Sequence, residues 1–200
     1  MRPRETPLFR LTYRLVRLVL RLYFRFGVEG AEHVPDGGAL LVGNHPSAVD
    51  PLILAAALPR RGLFVAAAEF LRLPAVGWAM RTYGVIPVRR GQTDLSVIRE
   101  AIAALEAGTL VVIFPEGRVS PRGDEAKAGA GLLAARTGMP IVPAALLGTG
   151  RALPLGKLIP RPARVRVRFG APMEAPSDRA AAEEVVAEAL AWAQQAAAGA

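Results

Sequence analysis

The feature that most constrains the fold of this chain is an alternation of short apolar runs with segments of helical periodicity. The runs GALLVGN (near residues 37–44), GLFVAAAE, VIPV, TLVVIFPEG and PIVPAAL are typical of buried strands. The segments DPLILAAAL, PAVGWAMRTYG, TDLSVIREAIAALEAG and AGAGLLAARTG lie between them and predict helices, several of them ended by glycine. Strands that alternate with helices usually pair in parallel. The sequence therefore predicts an α/β fold with one mostly parallel central sheet flanked by helices.

The remainder of the chain adds peripheral elements. In ARVRVRFG, arginines at 164, 166 and 168 alternate with apolar residues. This pattern predicts a peripheral strand late in the chain, with one solvent-exposed, basic face. An Ala/Glu-rich helix begins near Ser177, and the Pro- and Gly-rich residues 148–163 are the expected long loop. We expect a single folded domain over residues 27–200, preceded by a separate N-terminal helix over residues 1–26.

That N-terminal helix is strongly basic. Residues 1–30 hold seven arginines and two glutamates, a balance of +5 within a net charge of +8. From Arg10 onward the arginines recur every three or four residues among leucines, valines and aromatics, which predicts an amphipathic helix. Such a helix suits an anionic membrane surface, with arginines at the headgroups. A helix packed on the protein's own core and a nucleic-acid contact are the alternatives. Within this N-terminal segment, no arginine-free run approaches the roughly 20 residues that a membrane span needs.

Polar residues follow three of the predicted strands. Asn44 and His45 follow GALLVG, Arg89 and Arg90 follow VIPV, and Glu116-Gly117-Arg118 end the run TLVVIFPEG. Ligands of open α/β sheets bind at the carboxyl ends of the strands. These clusters are therefore candidates for one shared site.

His45 and Asp50 are the candidates for acid–base chemistry. A neutral imidazole accepts a proton near pH 7, and a carboxylate on its other nitrogen would orient the ring. A spacing of five does not suit one face of a continuous helix, so the pair requires His45 in a turn and Asp50 at the start of the helix. In the alternative reading His45 is an ordinary loop residue, and Asp50 or Ser47 simply caps the helix. Ser47 has no nucleophile-elbow motif around it.

The cationic and acidic candidates each have two readings. Arg89 and Arg90 carry guanidinium forks that suit phosphate or carboxylate, or they are a solvated strand end. Glu116 could bond a substrate hydroxyl or form a salt bridge where the strand ends. Lys127 could add a cation to the site or remain solvated. A metal centre is not expected, because the only other histidine is His33 and there is no cysteine.

Taken in order, these segments resemble the motif blocks of a known family. Residues 44–50 (NHPSAVD) resemble its NHxSxxD block. Residues 84–89 (GVIPVR) resemble the first six positions of its GxIPVxR block, with Arg90 as a second candidate arginine beside Arg89. Residues 114–117 are its FPEG block, residues 127–130 (KAGA) resemble the following KxGA, and residues 142–145 (VPAA) resemble its VPV/A block. Over residues 26–172 the chain thus resembles the glycerolipid acyltransferases, typified by bacterial 1-acylglycerol-3-phosphate acyltransferases. It departs from them after FPEG, where the usual arginine is displaced by one position to Arg118.

The resemblance implies an acyl transfer from acyl-CoA or acyl-carrier protein to the sn-2 hydroxyl of lysophosphatidic acid, forming phosphatidic acid. It implies His45 as general base with Asp50 as its orienting partner. It places the other candidates in substrate binding: Asn44, Ser47, Arg89, Glu116, Gly117, Arg118 and Lys127. No cofactor beyond the acyl donor is expected, nor is nucleic acid. The expected location is peripheral, on the cytoplasmic face of the cell membrane.

Two alternatives remain open. The first is a family member that acts on another acceptor, such as a lysophospholipid, glycerol 3-phosphate or a sugar lipid. The second is a non-catalytic peripheral protein that binds anionic lipid.

Overall fold

The computed structural model describes residues 7–72, 74–88, 95–120 and 129–199. Within them, the strands are β1 (Gly27–Glu29), β2 (Ala39–Gly43), β3 (Gly62–Ala67), β4 (Val85–Val88), β5 (Leu110–Ile113), β6 (Ile141–Leu147) and β7 (Arg166–Phe169). The α-helices of the same ranges are α1 (Pro7–Phe24), α2 (Asp50–Ala57), α3 (Pro74–Tyr83), α4 (Leu95–Glu106), α5 (Gly129–Thr137), α6 (Thr149–Ala152) and α7 (Arg179–Ala198).

The strands form one sheet in the order β1-β7-β6-β2-β5-β3-β4. The pairs β6–β2, β2–β5, β5–β3 and β3–β4 are parallel. Strand β7 pairs antiparallel with β6, and β1 pairs in parallel with β7. The central strands β2 and β6 are buried at every position, as expected for a parallel sheet covered on both faces. The predicted α/β fold with a mostly parallel sheet is confirmed.

Helices cover the two faces of the sheet in separate layers. Leu41 and Val112 point into a core shared with α1 and α2, whereas Leu40 and Val111 point into a core shared with α4, α5 and α7. Successive residues of a strand face opposite sides, so one apolar run supplies both cores. This arrangement leaves the carboxyl edge of β2, β5 and β6 to the loops that carry the polar clusters.

The structure corrects three details of the sequence reading. Strand β1 was missed, because three residues are too few to show a periodicity. Strand β7 is not at the edge of the sheet, because β1 lies outside it, and Arg166 and Arg168 pair with Glu29 of β1 at 3.4 and 2.8 Å. The expected loop at 148–163 begins with α6, one helical turn.

Helix α1 is anchored to the domain. The Tyr13 hydroxyl donates to the carbonyls of Ala56 and Leu58 at the end of α2, at 3.1 and 2.6 Å. Leu20 and Phe24 of the same helix are buried in the core. No helix in the described ranges combines the length and the apolar character that crossing a bilayer requires.

Candidate active site

The neighbouring strands β2 and β5 bring two of the predicted clusters together. Val42 pairs with Ile113, so both strands end at the same level and their exit loops lie side by side. The backbone N–H of His45 donates to Glu116 Oε2 at 2.8 Å, and the His45 carbonyl accepts from the Ser120 N–H at 2.6 Å. The exit loop of β5 thus holds the His45 backbone from both sides.

Asn44 secures the same turn on the side of β6. Its Oδ1 accepts from the Leu146 N–H at 2.7 Å, and its Nδ2 donates to the Leu146 carbonyl at 3.3 Å. The side chain is buried and extends the β2–β6 pairing beyond Gly43. Asn44 therefore acts on the backbone of the turn, and its predicted direct contact with substrate stays a prediction.

His45 and Asp50 form a hydrogen-bonded pair. Asp50 is the first residue of α2, His45 lies in the preceding turn, and His45 Nδ1 stands 2.9 Å from Asp50 Oδ2. The same carboxylate oxygen accepts the Ser47 backbone N–H at 2.7 Å, which closes the turn. The expectation that Asp50 or Ser47 caps α2 through its side chain is wrong, because the N-cap residue is Val49 and it has no side-chain cap bond. The Asp50 carboxylate points back to the turn instead.

The geometry determines which histidine nitrogen can act as a base. An ionised Asp50 carboxylate only accepts hydrogen bonds, so its partner Nδ1 is the nitrogen that must carry a proton, and Nε2 is the nitrogen that can offer a lone pair to a substrate. The His45 side chain is 14% exposed and its Asp50 partner is fully buried. Phe114 stacks on the imidazole, with ring centroids 4.3 Å apart and an angle of 22° between the planes. Phe114 thus holds the imidazole on one face, and Asp50 holds it at Nδ1.

The surroundings of Asp50 balance opposing electrostatic effects. Burial raises the pKa of the Asp50 carboxyl, whereas its hydrogen bond to His45, the Thr149 hydroxyl and the Ser47 N–H act to lower it. Asp50 Oδ1 and Thr149 Oγ1 are both buried, and neither has a hydrogen-bond partner of good geometry in the described part of the chain. The Thr149 hydroxyl therefore acts on the carboxylate as a nearby dipole.

Ser47 connects this turn to the segment after β6. Its side chain is fully buried, and its hydroxyl donates to the Leu153 carbonyl at 2.8 Å. Gly150 of α6 packs beside Pro46, whose Cβ would lie 3.6 Å from a side chain built at that glycine. Residues 148–153 thus pack against the turn of residues 44–49 that holds His45. As for Asn44, a direct contact between Ser47 and substrate stays a prediction.

Glu116 is buried beneath His45. Its Oε2 accepts a hydrogen bond from the His45 N–H, and its Oε1 accepts one from Nε2 of Gln194 in α7 at 2.9 Å. The sequence reading missed Gln194 and Thr149, because a glutamine in an alanine-rich helix and a threonine after a strand carry no motif.

Gly117 has a left-handed φ of 70°, which favours glycine, and Arg118 beside it is exposed. Arg89 and Lys127 lie outside the described residues.

The site is separate from a cavity of about 220 Å³ beneath α1. Tyr13, Arg17, Gly62 and Tyr83 contribute to its lining. Gly62 begins β3 and Tyr83 precedes β4, so this cavity lies at the amino edge of the sheet, opposite the His45 edge.

Comparison with known proteins places this site in a family. Residues 25–147 match the family described as Acyltransferase. The chloroplastic 1-acyl-sn-glycerol-3-phosphate acyltransferase of Arabidopsis thaliana is 34% identical over 140 residues, which cover 67% of this chain and 39% of that protein. A 1-acyl-sn-glycerol-3-phosphate acyltransferase of Pseudomonas aeruginosa is 29% identical over 171 residues, which cover 80% of this chain and 64% of that protein.

A solved structure shares the fold as well. The crystal structure of the 1-acyl-sn-glycerophosphate acyltransferase PlsC from Thermotoga maritima has a TM-score of 0.72 and 27% identity, and the match covers 94% of this chain and 82% of that one. The chain spans about two fifths of the length of the plant relatives that it matches. The matched residues include His45, Asp50 and Glu116 together with β2 to β6. This chain therefore belongs to the acyltransferase family.

Proposed function

We propose that this protein transfers an acyl group from acyl-CoA or acyl-carrier protein to the free sn-2 hydroxyl of 1-acylglycerol 3-phosphate, forming phosphatidic acid. The observation that carries the proposal is the His45–Asp50 hydrogen bond of 2.9 Å in a chain of this family. Relatives from plants and bacteria bear the name of that acyl transfer.

The proposed reaction needs one base that later acts as an acid. His45 Nε2 takes the proton from the acceptor hydroxyl while the hydroxyl oxygen attacks the thioester carbonyl carbon. Asp50 stabilises the imidazolium that forms, because its carboxylate lies 2.9 Å from Nδ1. The tetrahedral intermediate collapses as the C–S bond breaks, and the imidazolium returns the proton to the thiolate. The products are the ester and the free thiol of the donor.

We assign acceptor binding to cations that follow β4 and β5 in the chain. Arg89, Arg118 and Lys127 are our candidates for the acceptor phosphate, because guanidinium and ammonium groups suit phosphate. Arg118 is exposed, two residues beyond the Glu116 carboxylate that supports His45. We assign Glu116 and Gly117 to the shape of the glycerol pocket, with Glu116 acting through the His45 backbone.

Helix α1 is proposed to hold the enzyme on the membrane that contains the acceptor. Its exposed apolar residues include Leu11, Leu15, Leu18, Val19 and Leu22. At roughly 100° per residue this stripe lies nearly opposite the buried stripe of Leu20 and Phe24, and the arginines lie along the flank. The helix thus has one face for the domain and another that suits acyl chains, with cations at headgroup level. We place the protein peripherally, on the cytoplasmic face of the membrane.

Turnover by the purified chain tests the proposal. Lysophosphatidate is offered with acyl-CoA or acyl-carrier protein, and release of the free thiol is followed. We expect His45→Ala to lower kcat by at least about 10²–10⁴-fold. The matched control is His33→Asn, because within the described ranges the His33 ring bonds only the Phe169 carbonyl, at 3.0 Å, and Asn can donate there too. Full turnover by a folded His45→Ala protein would refute the mechanism.

An acceptor panel tests the substrate. Glycerol 3-phosphate, lysophospholipids and sugar lipids are compared with lysophosphatidate at equal donor. A higher kcat/KM for one of these acceptors would replace lysophosphatidate in the proposal while leaving the role of His45 in place. Lipid binding without thioester consumption for every acceptor would indicate a non-catalytic protein.

A further inference from the structure

The loop after α6 exposes an apolar tip, which we define as residues 155–159 (LGKLI). Leu155, Leu158 and Ile159 are 63%, 95% and 80% exposed. Lys157 within the tip and Arg161 just beyond it are also exposed. Single exposed leucines are common on soluble proteins. Three large exposed apolar side chains within five residues form an apolar patch, and such patches are typical of sites that bind another surface.

Hydrogen bonds hold the loop in place at both ends of the tip. The Leu153 carbonyl accepts the Ser47 hydroxyl at 2.8 Å, and Ser47 lies in residues 44–50, which hold the proposed base and are called the catalytic turn below. The Arg161 N–H donates to the Ala152 carbonyl at 2.7 Å, so the loop closes on itself. The Pro160 carbonyl accepts the Tyr23 hydroxyl of α1 at 2.8 Å. The tip is thus a fixed projection between the catalytic turn and the end of α1.

The loop that carries the tip also contacts the end of α1, the helix with the exposed apolar stripe. Tyr23, whose hydroxyl bonds the loop, follows Leu22, which is 76% exposed. Arg21 in the last turn of α1, Arg25 just after the helix and Lys157 of the tip are exposed cations in these same segments. Such a combination of apolar residues with cations matches the boundary between acyl chains and anionic headgroups.

We infer that the apolar tip inserts into the surface of an anionic phospholipid bilayer as a second contact beside α1, and thereby brings the catalytic turn to the membrane. The inference rests on the proposed function, which places the acceptor in a bilayer. A projection of three apolar side chains is small for a stable protein partner, which needs roughly 800 Å² on each side. A bilayer accepts a narrow projection without a complementary groove.

Site-specific labelling tests the insertion directly. The chain has no cysteine, so Leu158→Cys creates a single labelling site in the full chain. An environment-sensitive fluorophore is attached, and vesicles of phosphatidylcholine with phosphatidylglycerol are added. We expect a blue shift at position 158 and quenching by lipids that carry a nitroxide on the acyl chain. The matched control is Ala191→Cys, an exposed position on α7 on the other face of the sheet, where no shift is expected.

The result that overturns the inference is a label at position 158 that stays in water while sedimentation shows the protein bound to the same vesicles. A blue shift without vesicles that grows with protein concentration also overturns it, because the tip would then contact a second copy of the chain. Neither measurement needs turnover, so this test is separate from the test of the proposed function.

The kinetic consequence is tested with Leu158→Ser combined with Ile159→Ser. Because both side chains are exposed, the fold is expected to remain intact. Vesicle partitioning should weaken by roughly 10-fold or more. Turnover of vesicle-embedded lysophosphatidate should fall with it, whereas turnover of a short-chain lysophosphatidate dissolved as monomers should not change. The control is Leu95→Ser, an exposed leucine on α4.

Two results of the kinetic test would contradict the inference. One is unchanged vesicle partitioning by the double serine variant. The other is an equal loss of turnover with the dissolved acceptor, which would mean that the tip shapes the site itself. Absence of turnover with every acceptor in the wild-type chain would refute the proposed function instead and leave the labelling result to decide on the tip.

Discussion

Replacing Asp50 by Asn separates the charge of this residue from its hydrogen bonds. The Ser47 N–H donates to Asp50 Oδ2 at 2.7 Å, so the carbonyl oxygen of an asparagine is expected to occupy that position. The same oxygen would still accept the proton on His45 Nδ1, which preserves the tautomer. The substitution therefore removes the negative charge and keeps the orientation of the ring.

The structure sets the size of the decrease in kcat that we expect for Asp50→Asn. In the transition state a positive charge develops on the His45 ring, whose Nδ1 lies 2.9 Å from Asp50 Oδ2. With charge centres about 4 Å apart and an effective dielectric constant near 20, their attraction is about 4 kcal/mol. Losing it corresponds to a decrease in kcat of about 10³-fold.

The same substitution is expected to stabilise the fold. Burial raises the pKa of the Asp50 carboxyl above its ordinary value of 3.8, so the folded protein binds this proton more tightly than the unfolded chain. Between the ordinary and the raised pKa, the free energy of unfolding falls as pH rises, and above the raised pKa the full cost of the buried charge is present. Asp50→Asn carries no such charge and should unfold at higher urea concentration at pH 7.

Steady-state kinetics and urea unfolding of both proteins measure the two effects. Wild type and Asp50→Asn are compared at pH 7 and at a pH below 4, where the difference in stability should shrink. A decrease in kcat of less than about 10-fold would refute the charge-stabilisation argument. A variant that is less stable than wild type at pH 7 would show that the hydrogen bonds of the carboxylate outweigh its burial.

Three further substitutions test parts of the same structure. Glu116→Ala leaves the half-buried His45 N–H without its acceptor, so it should destabilise the fold by about 1–3 kcal/mol and lower kcat more than it raises KM; a rise in KM alone would indicate that Glu116 binds the acceptor directly. Thr149→Val removes a buried hydroxyl that favours the charged Asp50, so kcat should fall by roughly 3- to 30-fold without loss of stability in urea; unchanged kcat would contradict this role. Gly131→Ala would place a Cβ 2.2 Å from Glu183 Cγ and 2.8 Å from Glu183 Cα on α7, so it should cost about 1–3 kcal/mol in a thermal melt, whereas Gly129→Ala meets no atom of the described residues within 4 Å and should be neutral or stabilising.

The fold class and the edge that carries the site followed from the sequence. Short runs such as TLVVIFP are apolar at successive positions, which indicates strands buried on both faces, and these are typical of parallel sheets. Parallel strands end at a common edge, so the polar residues that follow β2 and β5 were expected to meet. The spacing of His45 and Asp50 also required a turn followed by a helix start, and the structure has this arrangement.

Only the tertiary structure decided which of these residues touch. The strand order places β5 directly beside β2, so Glu116 reaches the backbone of His45, whereas β4 lies two strands beyond β5. Strand order depends on how the crossover helices pack, and that packing involves residues far apart in the chain. For the same reason Gln194, 78 residues from Glu116, could not be assigned.

The N-terminal helix shows the same division. Its arginine and leucine periodicity predicts a basic amphipathic helix from the sequence alone. Local periodicity cannot tell which leucines meet the domain, because a leucine that faces a core and one that faces outward have the same hydropathy. The position of α2 against α1 decided that Leu20 is buried and Leu22 exposed, and so left an apolar stripe beside the apolar tip.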